Sequence, residues 1–443
     1  MPKLHLTKVN IDKVAKPGAG TVIYVDTRVK GFGLRVTNSG AASFIVQGIV
    51  KGQSKERRVT IGTYGAWTVE AARRRAEEIK HQFEDGIDPV EQRKQDEAMK
   101  VTLRQVADSY FDRPGQPLRE STKAEMNRHI DKVFAKWRDR PIASITIEDC
   151  RQRHREMCES GIDGRPAPGQ AQISLVTLRT LINFANRRYP RADGSPLIPV
   201  NPVKAMARDD WKTFEPRTRH IDLNHVGQAW YALDEMRLAP KNADALAAID
   251  VVRFLLLTGA RRTEASALTW DRVHLYDDAS KCWWHLRAED NKTGNEVQLP
   301  LSSQAVALLK QRRKLVDEAK KLGKPVSKFV FPSRAKCGHV SDTRAPFERL
   351  CKALGMTGLS AHDLRRTHVT IGFSACDIEL FKMELLTNHV PEGVTARHYL
   401  ETSDLRRHHP ATQRISDYIE REGLIARAKA TGGNVVALPQ RTA

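Results

Sequence analysis

Hydrophobic positions change their spacing along this chain. Over the first ninety residues they fall in short runs rich in Val, Ile and Phe, at residues 21–25, 32–36, 43–50 and 57–61, separated by Gly, Asn and Ser. That pattern predicts strands. A helix follows, with Thr68 as its cap and Gly86 as the residue that ends it. The polar stretch at residues 87–100, with Pro89, reads as a linker. From residue 101 apolar positions recur at helical spacing, in residues 102–111, 123–137, 147–157 and 174–188, and Thr122 and Glu125 have the spacing of a capping box. Pro199 and Pro202 break the pattern, and the chain to about residue 216 reads as a second linker. Beyond it, residues 245–259 form a helix closed by Gly259. Residues 282–286 and 297–301 flank a turn-rich segment and predict a hairpin. Helices are expected over residues 302–321, 344–355, 362–373, 379–386 and 394–400, and the last 20 residues are expected to be poorly ordered.

These elements group into an α+β unit over residues 1–90, an all-helical unit over 101–205, a mixed α+β unit over 217–425 and a flexible tail over 426–443. The fold class expected is therefore multidomain and mainly α, with small β-sheets. A chain of 443 residues is too long for one compact core. No run of eighteen apolar residues spans a membrane, and the first residues lack the apolar stretch of a signal peptide. Six scattered cysteines without a Cys-x-x-Cys read as reduced thiols. Cys337 and His339 have no second ligand pair, so no metal site is expected.

Charge narrows the partner. The formal net charge is +20, with Lys and Arg spread over the whole length. A polyanion that touches every unit is the simplest explanation, and no basic amphipathic helix supports an anionic membrane instead. The helical unit can be read as a bundle with a solvated basic face or as a clamp over a DNA backbone.

The third unit carries chemistry in a fixed order: Arg261 after a glycine, Lys292 in a turn, His362 and Arg365 as a His-x-x-Arg pair, His389, and Tyr399 ten residues later. Phosphodiester cleavage needs a nucleophile, charge stabilisation on the phosphate and a proton for the leaving oxygen. A phenol with a pKa of about 10 is inert alone near neutral pH, and nearby cations favour its phenolate. Guanidinium groups fork onto phosphate oxygens and keep their charge. A lysine on a hairpin can protonate a leaving oxygen, and histidines can bond the phosphate or shuttle a proton. His362 and Arg365, three apart, share a helix face. Taken singly, Arg261 could simply pair with Glu264, His389 could be a core histidine and Tyr399 a packing tyrosine. The ordered set is more specific than any member.

These residues resemble the tyrosine recombinase (phage integrase) family. The segment TGARRTE is similar to that family's first box, with Arg261 at the arginine position and Glu264 as its acidic partner. NKTG sets Lys292 at the hairpin lysine, HDLRRT sets His362 and Arg365 at the His-x-x-Arg box, and LTNHV sets His389 at the second histidine. Asn388 stands where the family usually has Gly or Ala. Residues 61–64, 68–73 and 86–89 resemble the arm-binding domain of integrases from satellite phages and genomic islands.

The resemblance implies that Tyr399 attacks the scissile phosphate and leaves a 3′-phosphotyrosine. Arg261 and Arg365 would hold the non-bridging oxygens, Lys292 would protonate the 5′ oxygen, and His362 and His389 would assist. No metal, ATP or other cofactor is implied. The implied partners are double-stranded DNA at core and arm attachment sites, a homotetramer passing through a Holliday junction, and possible DNA-bending accessory proteins and an excisionase, with no membrane. The implied place is the bacterial cytoplasm, at the nucleoid. Two alternatives stand beside an integrase: a type IB-like topoisomerase, and a DNA-binding regulator with a vestigial recombinase centre.

Overall fold

The computed structural model describes residues 1–432, apart from 116, 192–193, 216–217, 291–293 and 390–402. Lys292, Tyr399, the helix expected over 394–400 and residues 433–443 lie outside the described residues. The chain is mainly helical with two small sheets, and it divides into two compact units, Met1–Glu215 and Pro216–Ala443.

The first unit opens with a five-stranded sheet in sequential order, β1 (Lys3–Leu4), β2 (Thr21–Asp26), β3 (Phe32–Thr37), β4 (Ala42–Ile49) and β5 (Glu56–Thr63). β1 runs parallel to β2, and the other pairs are antiparallel. The two-residue β1 and the short helix α1 (Lys8–Asp12) have no apolar periodicity to announce them. Alternate residues Phe32, Leu34 and Val36 on β3 and Phe44 and Val46 on β4 are buried. Against that face lies α2 (Val69–Glu84), capped by Thr68 and buried at Ala72, Ala76, Ile79 and Phe83, the spacing of one helical stripe. Gly86, at φ +80, follows its end.

A buried ion pair ties the helix to the sheet. Arg73 on α2 reaches Asp26 through Nε at 3.1 Å and donates to the Leu6 carbonyl at 3.0 Å. Asp26 also accepts the Leu6 and Val29 amides. Burial pushes the Asp26 carboxyl up, but the Arg73 hydrogen bond and the two amides outweigh it and hold it below its ordinary value.

The stretch expected as a linker at 87–100 is instead helix α3 (Pro89–Lys100). Asp88 caps it by accepting the Val90 and Glu91 amides, and Pro89 sits at the first helical position, where its missing N–H costs nothing. None of its residues is buried, so it carries no apolar stripe to reveal it.

Four more α-helices follow among the described residues of this unit: α4 (Leu103–Phe111), α5 (Glu120–Arg128), α6 (Ile147–Glu159) and α7 (Pro168–Arg188). The capping box expected at Thr122 and Glu125 is absent, because α5 begins two residues earlier and both lie inside it. True capping boxes join Thr102 to Gln105 and Thr146 to Asp149. The helix expected over 123–137 is also not continuous. It passes at His129–Val133 into a π-helical turn, where fully buried His129 meets Thr177 Oγ1 at 2.8 Å. The second expected linker is not free chain throughout. Val203 and Met206 are buried in the helical core, and Asn201 bonds Asn183 and the Arg179 carbonyl on α7.

The second unit is built around α9 (Ala243–Thr258), buried along its last three turns and closed by Gly259 in the left-handed conformation. α8 (Leu223–Leu238), α10 (Arg262–Ser266), α11 (Ser303–Lys321), α12 (Arg344–Leu354) and α13 (Ala361–Thr370) pack on it. α14 (Leu380–Leu386) follows a π-helical turn at Ile371–Ala375. The expected hairpin forms from β7 (Trp283–Leu286) and β8 (Val297–Pro300), and β6 (Val273–His274) adds a third strand. The last described helix, α15 (His409–Ala430), crosses α8 at close range. A Cβ on Gly227 would lie 2.2 Å from the Glu422 carbonyl oxygen, and one on Gly423 would lie 2.3 Å from Trp230. Residues 426–430, expected in a flexible tail, are therefore helical.

Removing Arg73 strands a buried carboxylate. Arg73→Ala should cost the first unit about 3–5 kcal/mol in urea unfolding at neutral pH. Because the folded pKa of Asp26 is depressed, its stabilisation is present above the ordinary value of 3.8 and is lost as pH falls through the lower folded value. Asp26→Asn should therefore be less stable than wild type at pH 7 and approach it under acid. A gap that persists once the Asp26 carboxylate is protonated would show that its charge is not what matters.

Candidate active site

The site begins where α9 stops. Gly259 has φ +62, and a Cβ there would lie 2.8 Å from the ring of His368 and 3.0 Å from Thr387. Glycine thus serves twice: it takes the left-handed turn and lets α13 and the end of α14 close in. The turn sets Arg261 in extended conformation at the head of α10.

Arg261 is held on three sides. Its backbone N–H donates to Glu264 Oε2 at 2.8 Å, its Nη1 to Glu264 Oε1 at 2.8 Å, and its Nη2 to the Asn388 carbonyl at 3.0 Å. The pairing with Glu264 that a lone arginine could make is present, and the second guanidinium arm reaches a segment 127 residues away. Glu264 is buried, so the carboxylate is fixed as firmly as the arginine.

Arg365 projects from α13 and donates through Nη1 to the Gly259 carbonyl at 3.0 Å. It is 9% exposed. Burial pulls its pKa down to about 10, the charge of Arg261 adds to that, and Glu264 opposes it. The two guanidinium groups feel each other, and the Glu264 carboxylate paired with Arg261 offsets part of that repulsion. Arg365 at about 10 stays charged at neutral pH, which leaves a positive centre suited to an anion.

His362 lies one turn before Arg365. It is exposed and lines the same cleft, about 1200 Å³ in volume, as the two arginines. Arg262, Arg344 and Lys352 add positive charge along it. The first turn of α13 is anchored by buried Asp363, which accepts the Ser360 amide and hydroxyl and the Arg219 Nε at 3.3 Å.

His389 follows α14. Asn388 turns the chain with φ +51, a left-handed conformation that asparagine tolerates better than most side chains. That turn lets His389 N donate to the Glu384 carbonyl at 2.8 Å and aims the Asn388 carbonyl at Arg261. His389 is exposed. His368, in contrast, is a core histidine: its Nδ1 meets the Leu256 carbonyl at 3.0 Å, and burial pulls it down to about 4.

The structure thus brings Arg261, Arg365 and the backbone before His389 together, with His362 on the wall of the same cleft. Lys292 and Tyr399 lie outside the described residues. Gly259, Asp363 and Arg219 do positioning that the sequence reading did not assign. Gly259 had a local signal as a helix end and Asp363 had one in its capping-box spacing from Ser360, whereas the contact of Arg219 with Asp363 spans 144 residues and had none. Among the described residues no cluster of three or more His, Cys, Asp or Glu could hold a metal ion, and no helix is long and apolar enough to cross a membrane.

Comparison with known proteins bears on the same regions. Residues 6–96 match the Arm DNA-binding domain, and residues 230–404 match the phage integrase family. Prophage integrase IntZ of Escherichia coli K12 is 25% identical over 433 residues, spanning 95% of this chain and 97% of its own length. Prophage integrase IntF of the same organism is 23% identical over 421 residues, 84% of this chain and 81% of its own. Among solved structures, the Tn1549 transposon integrase in complex with transposon right end DNA aligns with TM-score 0.48 and 17% identity, over 68% of this chain and 95% of that one. The chain thus carries a phage integrase (tyrosine recombinase) domain over residues 230–404, behind an Arm DNA-binding domain over residues 6–96.

Proposed function

We propose that this recombinase integrates or excises a prophage or genomic island by using Tyr399 as nucleophile. The phenol oxygen bonds to the scissile phosphorus, the bond to the 5′ oxygen breaks, and a 3′-phosphotyrosine remains. Arg261 and Arg365 bind the non-bridging oxygens, where negative charge builds in the transition state. Lys292 gives the leaving 5′ oxygen its proton. His362 and His389 bond the phosphate and pass the tyrosine proton on. The phosphotyrosine keeps the energy of the broken bond, so rejoining needs neither ATP nor a metal.

The observation that carries this reading is the pair of guanidinium groups side by side at the cleft, one fixed by Glu264 and the Asn388 carbonyl and the other by the Gly259 carbonyl. Four subunits exchange strands in pairs through a Holliday junction. The Arm DNA-binding domain holds arm-type sites while the rest of the chain holds the core site. DNA-bending proteins and an excisionase set the direction, and the reaction takes place in the bacterial cytoplasm at the nucleoid.

Covalent trapping tests the nucleophile. Nicked suicide duplexes tiled across the DNA flanking the gene should give an SDS-resistant adduct with wild type, in EDTA, and none with Tyr399→Phe at nearly unchanged DNA affinity. Adducts from both proteins would move the nucleophile elsewhere. Binding with no adduct from either would favour the vestigial DNA-binding regulator. Glu264→Ala frees the Arg261 fork and should slow cleavage about 10²-fold with little loss of binding. A cleavage rate within about twofold of wild type would show that Arg261 does not depend on this carboxylate. DNA affinity should fall steeply with salt, about linearly in log–log form, and a flat dependence would undo the role given to the +20 charge.

A further inference from the structure

The chain re-enters the described residues at Ser403 already attached to the small sheet. Gln298 N on β8 donates to the Ser403 carbonyl at 2.7 Å, and Leu405 N donates to the Gln298 carbonyl at 3.0 Å. β8 is the outer strand of its sheet, so these bonds occupy an edge that β7 leaves open. Leu405 is 1% exposed and joins the core.

Arg406 then reaches back across the sheet. Its Cζ stands 5.2 Å from the ring of Trp283 on β7, and that ring stacks on His274 of β6 at 3.8 Å and 12°. The same guanidinium forks onto Asp404, Nε at 2.9 Å and Nη2 at 2.6 Å. This side chain adds to the backbone bonds that fasten residues 403–406 to β7 and β8, the strands before and after Lys292 in the sequence.

The backbone bond at Ser403 lies four residues after Tyr399 and Arg406 lies seven after it, whereas His389 lies ten before it. A nucleophile must meet phosphorus in line, and a misplacement of about 1 Å costs on the order of 10²-fold. The nearer anchor has the larger hold on that alignment.

We propose that Arg406 is a positioning residue for the recombination reaction. With Asp404 and Trp283 it holds residues 403–406 on the β6–β8 sheet, and through them it constrains the chain that leads back to Tyr399. The proposal rests on the roles given above to Tyr399 and Lys292. Arg406 contributes no atom to the reaction: the tyrosine oxygen bonds to phosphorus, the 5′ oxygen leaves, and its proton comes from Lys292.

The test uses the full chain and two matched suicide duplexes, one with the ordinary 5′ bridging oxygen and one with sulfur in its place. A thiolate leaves without a proton, so sulfur bypasses the general acid and cannot repair a misplaced nucleophile. Arg406→Ala should cleave about 10- to 100-fold more slowly on both duplexes, with affinity within about twofold and an unfolding midpoint within about 2 °C of wild type. Arg406→Lys keeps a cation near Trp283 but loses the fork, and should fall between. Lys292→Ala should be slow on oxygen and restored on sulfur. Wild-type rates from Arg406→Ala would overturn the proposal. So would rescue of Arg406→Ala by sulfur, or a rate loss matched by lost binding or stability. An adduct from Tyr399→Phe, or no sulfur rescue of Lys292→Ala, would instead remove the assignments beneath it.

Discussion

Two like charges held side by side are the constraint on which the second unit turns. Arg261 and Arg365 repel each other, and the fold answers with fixed oxygens. The Gly259 carbonyl takes one arginine, and the Asn388 carbonyl and Glu264 take the other. Two of these partners are neutral dipoles and only one is a carboxylate. Geometry is thereby set without cancelling the charge, and a phosphate meets a pocket that is still positive. A second carboxylate would have secured the arginines equally well and competed with the phosphate for them.

The chain segments that supply those oxygens are far apart in sequence, and small residues let them meet. Gly259 ends α9, turns left-handed and clears the space that His368 and Thr387 fill. Asn388 makes the matching left-handed turn after α14. Buried His368, bonded to the Leu256 carbonyl, closes the contact between α9 and α13 from behind. The site is thus as much a property of two turns as of two arginines.

Local chemistry was legible in the sequence wherever it was written within one turn. The Thr68 cap, the Gly86 and Gly259 ends, four strands of the first sheet and the Arg261–Glu264 neighbourhood all rest on residues a few places apart. The misses share a cause. α3 has no buried residue, so an Asp-Pro start read as a linker. α5 starts without a side-chain cap, so the nearest Thr-x-x-Glu misplaced it. α8 and α15 went unassigned although Gly227 and Gly423 mark their crossing, because two isolated glycines do not declare that they face each other. The contact of Arg219 with Asp363, and the carbonyl at Asn388, depend on tertiary placement alone.

Burial also explains why arginine suits position 365. The surroundings lower its pKa to about 10, and it remains a cation. A lysine starts lower, near 10.4, so the same burial would bring it closer to losing its charge. It would then spend part of its time neutral, and its single ammonium could not reach the Gly259 carbonyl and a phosphate oxygen with the same planar fork. The depth that desolvates the group strengthens its hold on a phosphate, and only a side chain with a very high intrinsic pKa can sit that deep without losing the charge the chemistry needs.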